Sequence, residues 1–146
     1  MPTHRDTAID RFTSGYNCAQ AVLFAFAPDL GLDPDVALRL ACGFGGGIAR
    51  RQEVCGAISG GVIALGLRHG RGEGQDKTVT AETYAKVNDL LSTFEAAHGT
   101  HICRVLLGGC DLSTPDGQWQ FHGSDLPIRV CQPCVNTVVA TLERLL

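Results

Sequence analysis

Seven cysteines are the residues of this 146-residue chain best suited to chemistry. They are Cys18, Cys42, Cys55, Cys103, Cys110, Cys131 and Cys134. A thiolate ligates metals and attacks disulfides, whereas a protonated thiol packs as a small apolar side chain. The odd number excludes complete internal pairing. The start of the sequence, MPTHRDTAIDRF, lacks the pattern of a secretory signal, so we expect a cytoplasmic protein, in which stable disulfides are rare. Metal ligation or reversible redox chemistry is therefore favoured.

Length and charge narrow the class of protein. A chain of this length forms one domain, residues 1–146, with a core that needs no disulfides. The net charge is -3 and the basic residues are scattered, which argues against a nucleic-acid partner. The most apolar run, residues 54–67, is too short to span a membrane. We therefore expect no membrane insertion.

The elements that must position the cysteines are helices. Apolar residues recur at spacings of three and four, and strand-like alternation is nearly absent. We expect an all-α, bundle-like domain of about six helices, with a buried glycine-rich helix over residues 54–69. Asn17, Thr80 and Thr100 are predicted helix caps, and Gln132-Pro133 is predicted to open the last helix. Residues 111–129 are predicted to form a long ordered loop before it.

Four of the cysteines fall at predicted helix N-termini: Cys18, Cys55, Cys103 and Cys134. Free N–H groups and the helix dipole at such positions favour a thiolate over a thiol. If these helix starts converge, the thiols form one electropositive pocket. Gly56 and Gly60 lie on one face of the glycine-rich helix, where they permit close approach of a cofactor or of another helix.

The glycine-rich segment before Cys55 is the second feature that could shape this pocket. The sequence GFGGG, residues 43–47, lacks the lysine and Ser/Thr of a phosphate-binding loop. We expect it instead to turn the chain and bring Arg50 and Arg51 near Cys55, where positive charge would lower the thiol pKa. Two solvated arginines are the alternative.

Several motifs together resemble the C_GCAxxG_C_C family of redox-active proteins. They are GYNCAQAVL (15–23), GFGGGIARRQEVCGAISGGVIALGL (43–67), HGTHICRVLLGGCDL (98–112) and CVNTVV (134–139). The resemblance implies that Cys18, Cys55, Cys103 and Cys134 are the family cysteines. A related domain in split-Soret cytochromes, which hold haem and iron-sulfur centres, implies a cluster site. The chain lacks CxxCH, so covalent haem is not expected.

Three functions are compatible with these residues. In the first, Cys18, Cys55, Cys103 and Cys134 hold a [2Fe-2S] or [4Fe-4S] cluster for electron transfer or redox sensing. In the second, CQPC is a thiol-disulfide pair, with Cys131 as an exposed nucleophile at the helix cap and Cys134 as the resolving thiol. In the third, the HxxHxC motif, His98, His101 and Cys103, contributes to a zinc site.

The remaining expectations concern the surface. Trp119, Phe121 and His122 are predicted to anchor the long loop to the core rather than to cover the pocket. A redox partner is expected from the first two functions, although the sequence does not identify it. The glycine-rich helix suggests a homodimer.

Overall fold

Helices make up the regular structure of this protein. The computed structural model describes residues 1–146 and contains eight α-helices and one isolated β-bridge, between Val54 and Ile102. The helices are α1 (His4–Thr13), α2 (Cys18–Phe26), α3 (Pro34–Ala41), α4 (Gly56–His69), α5 (Lys77–His98), α6 (Cys103–Leu106), α7 (Pro115–Gly123) and α8 (Gln132–Leu145). The all-α class is confirmed, whereas the expected count of about six helices is too low. None of the helices combines the length and the apolar character needed to cross a membrane.

Capping side chains fix where the helices near the site begin. Asn17 caps α2 by accepting a hydrogen bond from the backbone N–H of Gln20, whose side chain in turn accepts from the Asn17 N–H. This reciprocal pair satisfies two N–H groups that would otherwise lack partners. Because the cap is rigid, Cys18 begins the first turn of α2 in a defined place.

The main core lies between α2, α4 and α8, with α1 and α5 packed around them. Glycines in α4 let these helices approach closely. A Cβ atom at Gly60 would lie 2.6 Å from the Ala19 carbonyl oxygen of α2, and one at Gly61 would lie 2.9 Å from the Val138 side chain of α8. Real side chains do not tolerate such distances. Gly60 and Gly61 are thus used for helix packing inside the chain, and the homodimer that the sequence suggested stays a prediction.

The structure corrects two predicted boundaries. Helix α5 begins at Lys77 because Asp76, rather than Thr80, caps it by accepting from the Thr78 N–H. Thr100 does not cap α6 either. Its hydroxyl accepts from the Ile102 N–H, and α6 is only four residues long.

Residues 111–129 do not form the expected loop. They contain α7 and a π-helical turn, Pro127–Cys131, which runs directly into α8. Thr114 caps α7 by accepting from the Gly117 N–H, with Pro115 at the first helical position. That cap-proline start signal outweighs the weak apolar periodicity of the segment.

Candidate functional site

Five of the seven cysteines line a single cavity of about 660 Å³. The five are Cys18, Cys55, Cys103, Cys131 and Cys134. They come from α2, the residue before α4, α6, the π-helical turn and α8. The tertiary fold therefore brings together the four cysteines selected from the sequence and adds Cys131 to them. All seven cysteines are free thiols.

The five thiols occupy two walls of the cavity. Cys55 and Cys134 are buried in the main core, and Cys18 packs against it. Cys103 belongs to a separate minor core, formed by Cys103, Leu107, Cys110 and Leu112. Cys131 packs against this minor core as well. The cavity thus has three thiols on its main-core wall and two on its minor-core wall.

Two helix N-termini converge on the main-core wall. The backbone N–H groups of Ala19 in α2 and Ala57 in α4 both act to lower the pKa of Cys18, against the larger effects that raise it, and the Ala57 N–H acts in the same way on Cys55. Gly56 makes this convergence sterically feasible. A Cβ atom there would lie 2.7 Å from the Cys18 Sγ and 2.9 Å from the Phe44 carbonyl oxygen. The absence of a side chain at Gly56 is therefore a requirement of the site.

A left-handed segment leads into Cys55. Residues 46–50 all have positive φ, between 49° and 69°, and Gln52 has φ 60°. Ile48, Ala49, Arg50 and Gln52 are not glycines, so each holds a conformation that costs of the order of 1–3 kcal/mol. Such strain persists only where the surrounding contacts over-determine the backbone.

Gln52 supplies those contacts and connects the two walls. Its side chain is only 2% exposed, donates to the Cys110 carbonyl over 2.6 Å and accepts from the Leu112 N–H over 2.9 Å. Beside it, the Cys103 N–H donates to the Glu53 carbonyl over 2.7 Å. Gln52 is a positioning residue that sequence reasoning missed, because a polar residue in a charged, glycine-rich stretch resembles an exposed one.

The surroundings raise the pKa values of four cavity thiols, Cys18, Cys55, Cys103 and Cys131. A hydrogen bond with Cys55, together with burial, raises the pKa of Cys18, and a hydrogen bond with Cys134, together with burial, raises that of Cys55. Burial and the neighbouring Cys18 raise the pKa of Cys103 to about 12, and burial raises the pKa of Cys131. A helix terminus contributes only about 0.3–1 kcal/mol, which is less than the cost of burying a charged thiolate. At Cys18, Cys55 and Cys103 the raised pKa values therefore run against the expectation that helix termini would favour thiolates there.

A family comparison gives this site its context. The family model described as "Putative redox-active protein (C_GCAxxG_C_C)" matches residues 16–145. The chain belongs to this C_GCAxxG_C_C family. No curated protein and no solved structure matches the chain. The family description indicates redox activity but names no cofactor and no reaction.

The last family cysteine, Cys134, lies in a different helical position from the one predicted from the sequence. Cys134 does not lie at a free helix N-terminus, because the π-helical turn continues without a break into α8 and the Gln132 N–H donates to the Pro127 carbonyl. Pro133 has no N–H, and its ring crowds the carbonyl one turn earlier. The wider π turn accommodates it there. Cys131 is accordingly half-buried within a helix and is not an exposed cap residue.

Two cysteines and one glycine lie outside the cavity. Cys42 is exposed after α3, and the buried Cys110 thiol donates to the Gly117 carbonyl over 3.2 Å. Gly60, a predicted cofactor-binding residue, instead contacts Ala19, so close helix packing accounts for it. Of the two predicted glycines, only Gly56 borders the cavity.

The HxxHxC motif does not assemble into a metal site. The His98 Nε2 is hydrogen bonded to the Thr137 hydroxyl over 2.8 Å, and the His101 Nδ1 lies 3.6 Å from a Glu95 carboxylate oxygen. No three His, Cys, Asp or Glu side chains are placed to hold one metal ion together. The residues of the motif are separated because His98 ends α5 whereas Cys103 begins α6.

The arginines and aromatic residues near the cavity also differ from expectation. Arg50 lines the cavity, but the main causes of the raised pKa of Cys55 are its thiol neighbours and burial rather than either arginine. Phe121 packs against the minor core, as its predicted anchoring role requires, and it also lines the cavity, which that prediction did not include. Trp119 is 81% exposed, so its predicted anchoring role is wrong. His122 is exposed at the cavity edge.

Proposed function

We propose that the cysteine-lined cavity binds an iron-sulfur cluster, with Cys18, Cys55, Cys103 and Cys134 as its thiolate ligands. The observation that carries this proposal is the convergence of five cysteines from distant parts of the chain on one cavity. Sulfur is the only metal-binding donor that the fold collects in such number. Thiolates select iron-sulfur clusters and other thiophilic metals.

The arrangement of the donors supports a cluster over a single ion. The ligands of a cluster bind different iron atoms and are therefore farther apart than the ligands of one ion. Three thiols on one wall and Cys103 on the other surround a common space, whereas no three side chains are placed around a point. This favours the cluster over the zinc site of the third hypothesis.

The protein surroundings suit the charge of such a group. N–H groups of Ala19 and Ala57 directed at Cys18 would stabilise negative charge on sulfur and tune the potential. A cluster bound there would supply one-electron redox chemistry for electron transfer or redox sensing. Because the raised pKa values of Cys18, Cys55 and Cys103 favour the protonated thiol, ligation would release protons, and binding would strengthen as pH rises.

The thiol-disulfide role of CQPC receives less support. That role requires an exposed Cys131 at a helix cap, but Cys131 is half-buried in a continuous helix. Cys131 and Cys134 also face the cavity from different cores. The raised pKa of Cys131 leaves little thiolate for attack on an external disulfide.

Anaerobic purification with measurement of iron, sulfide, zinc and the visible spectrum tests the cluster proposal. We expect iron and acid-labile sulfide with sulfur-to-iron charge-transfer bands, and loss of both in Cys55→Ser. Cys42→Ser is the matched control, since Cys42 is exposed outside the cavity, and should keep the wild-type iron content. A colourless protein without iron after reconstitution, or one zinc ion per chain, would overturn the proposal.

A further inference from the structure

The cysteine-lined cavity extends beyond its thiols. Its volume of about 660 Å³ lies within the range of about 300–1,000 Å³ that is typical of small-molecule sites. The five cysteines occupy two walls, whereas apolar side chains that include Phe12, Tyr16, Phe121 and Ile128 line other parts of the surface. A cluster held by four cysteines leaves this thiol-free part of the cavity without a role.

Arg50 is the only lysine or arginine that lines the cavity. Its guanidinium forms no ion pair and no hydrogen bond within the protein, in contrast to that of Arg144, which pairs with Asp89. A Cβ atom at Gly46 would lie 3.0 Å from the Arg50 Cγ, so the stem of the arginine packs directly against Gly46. An unpaired cation therefore lies beside a glycine backbone in the cavity wall.

The backbone beside Arg50 adds unpaired hydrogen-bond donors. Every residue from 48 to 53 donates its N–H to a backbone carbonyl, but the N–H groups of Gly46 and Gly47 have no acceptor in the protein. Both glycines line the cavity, and Gly47 is buried. A buried N–H group in a folded protein normally has a hydrogen-bond partner. Successive free N–H groups in a turn form a concave site that suits an anion.

These donors are separate from the groups that act on the thiols. The pKa of Cys18 is raised mainly by a neighbouring thiol and by burial, and N–H groups at the starts of α2 and α4 oppose that rise. Burial raises the pKa of Cys103, and the arginine that opposes this rise is Arg104 rather than Arg50. The positive charge of Arg50 is thus available to a ligand in the thiol-free part of the cavity.

We propose that the thiol-free part of the cavity binds a small organic oxyanion, a carboxylate or a phosphate monoester. Its charged group contacts the Arg50 guanidinium and the N–H groups of Gly46 and Gly47, and its apolar body lies against Phe12 and Phe121. Arginine suits this role because its planar fork matches the geometry of carboxylates and phosphates. The site uses none of the cysteines, so it does not rest on the cluster proposal.

One carboxylate, that of Asp125, also lines the cavity. This side chain is exposed and forms no ion pair with Arg50, so water and salt screen its charge. Asp125→Asn should therefore bind the anion as tightly as the wild type or more tightly. A weaker affinity in this variant would contradict an anionic ligand.

Isothermal titration calorimetry of the full chain with phenyl phosphate, benzoate, inorganic phosphate and benzyl alcohol tests the site. We expect phenyl phosphate or benzoate to bind, and their relative affinities identify the preferred oxyanion. Inorganic phosphate lacks the apolar body and benzyl alcohol lacks the charge, so each should bind at least about 10-fold more weakly. Binding of neither organic anion, or equal affinity for inorganic phosphate or benzyl alcohol, would overturn the inference.

Two adjacent arginines provide a matched pair of variants. Arg50→Gln should weaken binding of the organic anion by about 10-fold or more, because a charge-assisted hydrogen bond is lost. Arg51→Gln is the control, since Arg51 is exposed and does not line the cavity, and it should bind as the wild type does. An equal loss of affinity in the two variants would overturn the inference. Far-UV circular dichroism checks the fold, and Arg50→Lys, which keeps the charge but not the planar fork, should show an intermediate affinity.

Backbone amide NMR of the wild type gives a readout that depends on no variant. On saturation with the tighter organic anion, the signals of Gly46 and Gly47 should shift, whereas that of the exposed Gly66 in α4, outside the cavity, should not. Unchanged signals at both cavity glycines would overturn the inference.

Iron measured in the same samples separates this inference from the cluster proposal. The organic anion should bind to the protein as purified and also after iron is removed with a chelator, because none of its contacts is a cysteine. Loss of anion binding together with iron would overturn the inference. If the protein holds no iron, the cluster proposal fails while the comparison of Arg50→Gln with Arg51→Gln still decides the anion site.

Discussion

Replacing Gly56 by alanine tests whether the start of α4 positions the Cys18 sulfur. The new methyl group would lie 2.7 Å from the Cys18 Sγ and 2.9 Å from the Phe44 carbonyl oxygen. The carbonyl is backbone and cannot rotate away, so the sulfur or the helix start must move. Overpacking of this kind costs about 1–3 kcal/mol. Alanine recovers part of that cost, because it is the better helix former by up to about 1 kcal/mol.

Gly66→Ala provides a matched control in the same helix. Gly66 is exposed and has nothing within 4 Å of the position that a Cβ would occupy. The substitution should therefore stabilise the protein by about 0.5–1 kcal/mol through helix propensity alone. The two variants carry the same chemical change, so a difference between them measures the contact of Gly56 with Cys18 and Phe44.

Urea unfolding and iron titration together give the readout. We expect the free energy of unfolding to fall by about 1–2 kcal/mol in Gly56→Ala after the two opposing effects are combined. Metal affinity should weaken by about 10–100-fold, the range found when a residue that orients a ligand is changed. If Gly56→Ala matches Gly66→Ala in both stability and iron affinity, the steric argument for the site is refuted.

Three further predictions address the surroundings of the site. Gln52→Leu should lower the free energy of unfolding by about 2–4 kcal/mol in urea, because two buried backbone groups lose their partners, whereas Gln120→Leu on the exposed face of α7 should change it little. Ala49→Gly should stabilise the protein by about 1 kcal/mol, because glycine adopts a positive φ without strain. Ala81→Gly in α5 should destabilise it by a similar amount, because glycine is a poor helix former. Equal changes in unfolding free energy for the two variants would contradict the positive φ of Ala49. Burial lowers the pKa of His98, so the folded protein binds a proton at this imidazole less readily than the unfolded chain does. The stability that depends on neutral His98 is therefore fully present above the unfolded pKa near 6.5 and is lost as the pH falls through that value toward the lower folded pKa. A His98→Gln variant should show a flatter dependence of unfolding free energy on pH between about 7.5 and 5.5.

Local sequence signals predicted the helices near the site where caps or prolines mark them. The predicted Asn17 cap appears in the structure, because it acts through its immediate neighbours. The same reasoning failed for α7, although Thr114 and Pro115 carry an equivalent signal. Helix α7 has few apolar residues because it packs only on the minor core, so its apolar spacing did not predict a helix.

The sequence could also rank the cysteines but could not place them relative to one another. Family motifs and helix starts selected Cys18, Cys55, Cys103 and Cys134, and all four line one cavity. The role of Cys131 in that cavity was not evident, because it depends on a π turn around Pro133 that shows no sequence periodicity. Gln52 was missed for a similar reason, since its partners lie 58 and 60 residues away along the chain.

The sequence by itself determined the all-α class and the family, because these depend on residue type and on spacing along the chain. Tertiary structure alone decided that the thiols share a cavity, that they divide between a main-core and a minor-core wall, and that neighbouring thiols and burial raise the pKa values of Cys18 and Cys55. Burial and convergence arise from contacts between segments distant in sequence. No local pattern records which segments will meet.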